Sequence, residues 1–427
     1  MTCKNALVPD HAIQPPDRAS RRLPWRPRSA PLLRPRHEVA TRSTLRPLLG
    51  ASLAILALSG CRMQPTVKSL SDVVIIDSTA RALMQREHVQ GLTLAVIDRG
   101  QIIHVAAYGI RNAARDPLTT QTIMYGASLT KTAFTYLVMQ LVDEGRLDLD
   151  ASIADLLPRA LPEYDDYHEL AGDPRWKALT LRILLTHTSG FANFRSLEDD
   201  GKLRFHHDPG ARYGYSGEGF YLAQLVLEEA LGLDVGREMQ TRVFDRFGMT
   251  RTSMHWRPDF RVNLADGFRI EGTPEPHDER SNVSAAGSMD TDIDDQARLW
   301  AGVVRGDGLS RASRAEMMRP QVAITSAHQF PTLAPGTNRA NASIGLAAGL
   351  GLVTFQDPSG AMWFKGGHND WTGNLVVCLE SRKRCLVLLS NDVRAERIYP
   401  DLTRAILGQT TMPWAWEYDW FERPAGG

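Results

Sequence analysis

Apolar residues in this chain follow three rhythms, each confined to its own stretches. From Ser71 to Arg86, and again from Ser128 onward, they recur at three and four, the period of a helix face. In the second of these Leu129, Phe134, Leu137, Val138, Leu141 and Val142 form an amphipathic stripe that Gly145 stops. Leu92 to Asp98 and Gln101 to Tyr108 instead alternate and run apolar around Arg99-Gly100, which predicts a β-hairpin. LVVCLESRKRCLVLLSND, residues 375–392, predicts another hairpin: two apolar runs around a polar turn. A turn at Ser381 and Arg382 sets Cys378 directly opposite Cys385. Either a cross-strand disulfide or two thiols packed as small hydrophobes suits that place. LDLDASIADLLP and LTLRILLTHTSGF lie between these regions, followed by helical, loop-rich sequence to about Arg305. Strand character returns over Gly345 to Asp392, and Pro400 to Leu407 predicts a closing helix. Strands at both ends with a helical middle predict an α/β sheet lobe carrying a mostly helical insertion, with a cleft between them.

The third rhythm is unbroken. Leu48 to Leu58 is an apolar run of 11 residues, too short to span a bilayer as a helix, and it ends in Leu58-Ser59-Gly60-Cys61. Ahead of it the chain is rich in proline, and the first 60 residues hold ten Lys or Arg against three acidic residues. A basic lead, a short apolar core and small residues before a break describe a secretory signal over residues 1–60. Val39 to Cys61 alone has the ordinary length of one, so the start of the sequence reads as over-extended. Without residues 1–60 the chain carries 39 basic and 46 acidic residues, a formal charge of −7. Such a domain offers no basic stripe for nucleic acid. The expected organisation is a tether at 61–70, one large domain at 71–410 and an aromatic tail at 411–427. The tail, MPWAWEYDWFERP, suits either a partner or membrane surface or its own domain.

Candidate chemistry begins at the second helix. Ser128 and Lys131 are three apart at its N-terminus, on one face and able to meet. A hydroxyl near its ordinary pKa needs a base beside it, and a buried amine that has lost its proton can serve. The helix N-terminus adds N–H donors for a developing oxyanion. A Ser-x-x-Lys is also what a helix cap and a solvated charge look like, but this is the only one in the chain. There are 7 Lys against 42 Arg, so keeping Lys at 131 favours a group able to shed its proton. His187 in THTSG is tempting as a catalytic base. His206-His207-Asp208 lacks zinc-site spacing and no G-x-S-x-G elbow surrounds Ser128; a hydroxyl attacking with an amine as its base needs neither a metal nor an organic cofactor.

Three further stretches follow in order: LLTHTSG at 184–190, Tyr215-Ser216-Gly217, and Lys365-Gly366-Gly367. Together with Ser128-x-x-Lys131 this order resembles the serine β-lactamase and penicillin-binding superfamily, most of all the branch of class C β-lactamases, D-Ala-D-Ala carboxypeptidases, D-aminopeptidases and esterases. The resemblance covers roughly residues 71–410. It implies a β-lactamase/transpeptidase-like fold, an antiparallel sheet flanked by helices with an inserted helical lobe. It also implies a serine hydrolase working through an acyl-enzyme on an amide, lactam or ester, with the stretch around His187 structural rather than catalytic. Ser128 is then the nucleophile, Lys131 the base and Tyr215 a proton shuttle, with Tyr213 a competitor for that place. On this reading Lys131 and Lys365 lower the Tyr215 phenol. Lys365, Gly366 and Gly367 border the substrate, and the N–H of His368 pairs with that of Ser128 as an oxyanion hole.

Gly217 stands where the resembling pattern has Asn, which removes a donor and acceptor for amide-bearing substrates; Ser216 and Glu218 are the neighbours able to compensate. Lys365 leans toward lactamase or peptidase chemistry. The Leu-Ser-Gly-Cys ending resembles a bacterial lipobox and implies a diacylglycerol on Cys61. The implied setting is the periplasmic side of the cell envelope, lipid-anchored, acting on a small-molecule or peptidoglycan-like substrate. The alternative is a penicillin-binding or catalytically silent envelope lipoprotein. The sequence leaves the oligomeric state open.

Overall fold

The computed structural model describes residues 70–418. The predicted signal, the lipid site Cys61 and the tail beyond Tyr418 lie outside the described residues. Eight strands form one sheet: β1 (Gly91–Asp98), β2 (Gln101–Gly109), β3 (Val322–Ala323), β4 (Ala347–Ala348), β5 (Val353–Asp357), β6 (Gly360–Asn369), β7 (Thr372–Leu379) and β8 (Arg384–Ser390). Their order is β2-β1-β8-β7-β6-β5-β4-β3, antiparallel at every pairing. The two predicted hairpins, β1–β2 and β7–β8, lie side by side from the β2 edge to the middle of the sheet: β1 joins β8 with Ala95 opposite Val387, and β7 joins β8 with Cys378 opposite Cys385. Those cysteines form a disulfide.

Both faces of the central strands are covered, which is why they read as apolar runs rather than as clean alternation. Successive side chains still point to opposite faces. Ala95, Ile97, Val376, Cys378, Val387 and Leu389 meet helix α2 (Leu129–Asp143) in one core. Leu94, Val96, Val377, Leu386 and Leu388 meet α1 (Leu70–Glu87) and, later in the chain, Leu402 and Ile406 in the other. Between β2 and β3 come α2, α3 (Gly217–Leu231), α4 (Ile293–Arg305) and several short helices, the predicted helical middle. The chain closes with α5 (Tyr399–Leu407) and the short α6 (Trp414–Glu417).

One expectation changes and one alternative is decided. Helix α2 is not amphipathic in its setting: every residue from Leu129 to Gln140 is buried. Its polar positions are satisfied inside, Thr130 by Ala127 O, Thr132 by Gly351 O, Thr135 by Lys131 O and Gln140 by Arg242 O. Burial of polar side chains is tolerable once each has a partner. The tail, as far as it is described, packs on its own domain: Trp416, Glu417 and Tyr418 are buried, with the Trp416 ring against Tyr213 and Phe364. Among the described residues no helix is long and apolar enough to cross a membrane.

Candidate active site

The sheet and α2 meet where β5 ends. Strand β5 pairs with β6 only as far as Phe364 opposite Val353, so from Lys365 onward β6 has no strand on that edge. The N-terminus of α2 stands there instead. Gly367 touches it so closely that a β-carbon would lie 3.1 Å from the Ser128 amide nitrogen and 3.0 Å from that of Leu129. Ala127, just before the helix, has φ 47°, a left-handed conformation that costs a non-glycine residue energy. That turn presents Ser128 as the helix N-cap, with no side-chain cap bond of its own.

One helical turn on, Lys131 Nζ is 3.0 Å from Ser128 Oγ and donates to Ala286 O at 2.6 Å. Burial pushes this amine well below the ordinary lysine range, and the like charge of Lys365 pushes it further. A neutral amine with a hydroxyl in reach is the arrangement that the Ser-x-x-Lys spacing predicts. Lys365 is also buried; it donates to Tyr215 Oη at 3.1 Å and to Gly366 O at 2.7 Å. Burial lowers it to about 8, against the opposing pull of Glu417.

Tyr215 lies between the two lysines, its ring centre 5.0 Å from Lys131 Nζ and 4.9 Å from Lys365 Nζ. The expected lowering of its phenol is overturned. Burial raises it, and the opposing hydrogen bond with Ser128 does not outweigh that. The reason is that Lys131 brings no charge, while loss of solvent penalises a phenolate in this enclosed position. Tyr215 is therefore a neutral hydroxyl, fitted to give a proton rather than to take one. The competing Tyr213 points elsewhere, donating to Gln329 Oε1 at 2.8 Å.

His187 stays a framework residue. Its ring stacks on Tyr215 with centroids 4.2 Å apart, and its Nδ1 meets the Ser216 backbone at 3.1 and 3.2 Å. Burial, then Lys131 and Lys365, holds it well below the ordinary histidine range. Gly217 opens α3, where a β-carbon would strike the Phe194 ring at 2.4 Å. The Phe194 ring occupies the room a larger residue would need. Neither neighbour is free to compensate: Ser216 Oγ caps Gly219 N and donates to Ala192 O, and Glu218 is held by Arg195.

His368 faces Glu396, its Nδ1 2.8 Å from Oε1. Burial is the largest influence and lowers its ring, but Glu396 by charge and hydrogen bond outweighs it and the net direction is up. Four participants escaped the sequence reading: the Ala286 carbonyl, Gln329, Glu396 and Glu417. Only Glu417 left a trace in the sequence, as an acid set between the aromatic residues Trp416 and Tyr418. His206, from the stretch without zinc spacing, faces Glu198 at 2.5 Å.

Residues 76–410 match the family model described as Beta-lactamase. Lovastatin esterase of Penicillium rubens is 28% identical over 224 residues, 45% of this chain and 56% of that one. Monacolin J acid methylbutanoyltransferase of Aspergillus terreus is 28% identical over 229 residues, 45% of this chain and 55% of that one. The chain thus spans about half the length of the curated relatives it matches. Among solved structures, the β-lactamase/D-alanine carboxypeptidase of Pseudomonas syringae superposes with a TM-score of 0.62 at 18% identity, over 79% of this chain and 98% of that one.

Proposed function

The chain belongs to the beta-lactamase family, and from that premise we propose that it is a serine hydrolase acting through an acyl-enzyme on Ser128. The observation that carries this reading is the buried amine of Lys131, 3.0 Å from the Ser128 hydroxyl at the open N-terminus of α2. Its lone pair takes the hydroxyl proton as Ser128 attacks a carbonyl carbon. The oxyanion falls to the N–H of Ser128 and that of His368. Gly366 turns its carbonyl to Lys365, and alternation along β6 presents the His368 N–H, two residues on, at the same edge. Tyr215 passes its proton to the leaving atom. Lys365, already donating to the phenolic oxygen, steadies the phenolate until the proton held by Lys131 returns. Water then releases the acyl group by the same steps in reverse.

Esters suit this site better than lactams or peptides. Gly217 leaves no side-chain amide there, and the Phe194 ring takes its room. An esterase and an acyltransferase among the relatives support that preference. The proposed setting is the periplasmic side of the envelope, anchored through lipid on Cys61, with which the disulfide of Cys378 and Cys385 agrees. Cys61→Ser should release the protein from the membrane fraction.

Incubation with p-nitrophenyl butyrate and, in parallel, a chromogenic cephalosporin, with intact mass followed over time, tests the activity. Ester turnover with an acyl adduct on Ser128 is expected, and Ser128→Ala should lose both while keeping its fold. Turnover by that variant at the wild-type level would sink the assignment. A stable cephalosporin adduct without turnover would instead select the penicillin-binding alternative.

A further inference from the structure

The C-terminal segment carries a carboxylate into the site that no motif announces. Glu417, the last residue of α6, is 3% exposed. Gln329 Nε2 donates to its Oε2 at 2.7 Å, and the Gln329 backbone N–H donates to Trp416 O at 2.8 Å, which fixes α6 against the loop. The other oxygen lies against β6. A β-carbon on Gly366 would stand 2.0 Å from Glu417 Oε1, closer than atoms can approach. At this position the resembling motif has Thr. A side chain at 366 would have to displace the carboxylate of Glu417 from its present place, and with Gly there the carboxylate stands where that side chain would be.

The consequence is electrostatic. Lys131 is neutral, so Lys365 is the ammonium that would meet an anionic group lying along β6. Glu417 already acts on Lys365 as counter-charge, and burial of this carboxylate beside Glu396 raises it to about 7, with His368 and Lys365 pulling the other way. Above that value Glu417 is ionised, and there a second carboxylate brought into the same enclosed place meets repulsion with little water to screen it. An uncharged group meets none. The affected side is that of the leaving group, since Lys365 donates to Tyr215.

We propose that Glu417 is a specificity-determining residue that makes the site accept esters with an uncharged leaving group and reject those with a carboxylate on it. This rests on Ser128 being the acylated nucleophile. The test compares meta-carboxyphenyl butyrate with its meta-methoxycarbonyl counterpart on the full chain, as a ratio of kcat/KM values. Because both are measured on one sample, the fraction of folded enzyme cancels. The wild type should favour the uncharged ester by about a hundredfold, and Glu417→Gln should lower that ratio by about tenfold. Glu417→Asp, which keeps the charge, should stay on the wild-type side. A wild-type ratio near unity, or one that Glu417→Gln leaves unmoved, overturns the inference while an adduct on Ser128 upholds the acyl-enzyme. Absence of that adduct with either ester overturns both.

Discussion

At the scale of single residues, the candidate site holds two lysines that burial has set apart. Lys131 loses its proton to an enclosed position made worse by a like charge, whereas Lys365 keeps a carboxylate nearby and is lowered only to about 8. A base must be unprotonated to act, so kcat/KM on a neutral ester should rise with pH through the depressed Lys131 value. An ammonium that steadies the Tyr215 phenolate must stay protonated, so the same profile should fall above about 8. The alkaline limb should move to lower pH in Glu417→Gln, because Glu417 raises Lys365. A pH–rate profile of the two proteins checks both limbs, and an unmoved alkaline limb would take Lys365 out of the mechanism. Stability has its own sign. The unfolded chain binds a proton that folded Lys131 does not, so this group adds stability as pH rises toward its ordinary value of 10.5.

At the scale of elements, the decisive contact is β6 against the first turn of α2. Both cores hold this pair in place: Trp363 packs on the α2 side of the sheet and Phe364 on the other. Gly367 is a point of close approach, where a β-carbon would sit 3.0 Å from the Leu129 nitrogen and 3.1 Å from that of Ser128. Gly367→Ala should push the turn and the strand apart by a few tenths of an ångström or more. A misplacement of about 1 Å reduces kcat by about a hundredfold, so a loss of up to that size is expected, with only a small change in Tm. Steady-state kinetics beside a thermal melt separates the two, and unchanged kcat would show that the contact does not set the geometry. Helix α3 shows the same economy of space at its first residue, where Phe194 fills what a side chain at 217 would need.

For the whole molecule, the sheet is a wall between two cores, and the disulfide stitches its centre on the α2 side. Closing a loop with a sequence separation of 7 constrains the unfolded chain modestly, by about 2 kcal/mol. The double variant Cys378→Ala, Cys385→Ala should therefore lower the unfolding free energy from a denaturant titration by about that amount and leave ester turnover in place. Loss of turnover in a folded sample would mean that the hairpin also positions β6.

How much of this was legible in the sequence follows from range. Local patterns carried the hairpins, the helix starting at Ser128 and the meeting of Ser128 with Lys131, because period and spacing are properties of neighbouring residues. The order of Ser128, Lys131, Tyr215 and Lys365 was enough to indicate the family. What needed the folded chain was everything decided by solvent exclusion and by residues far apart in sequence. The amphipathic stripe of α2 gave no sign that its polar side would also be buried. The Tyr215 phenol was expected to fall and instead rises, because enclosure outweighs the lysines around it. Glu417 reaches Gly366 across 51 residues of chain, and no spacing rule links them. The sequence by itself determined which candidate groups come forward and on which elements they sit. The tertiary structure alone decided their protonation and the charge of the space beside them, since both depend on what the rest of the fold leaves for water.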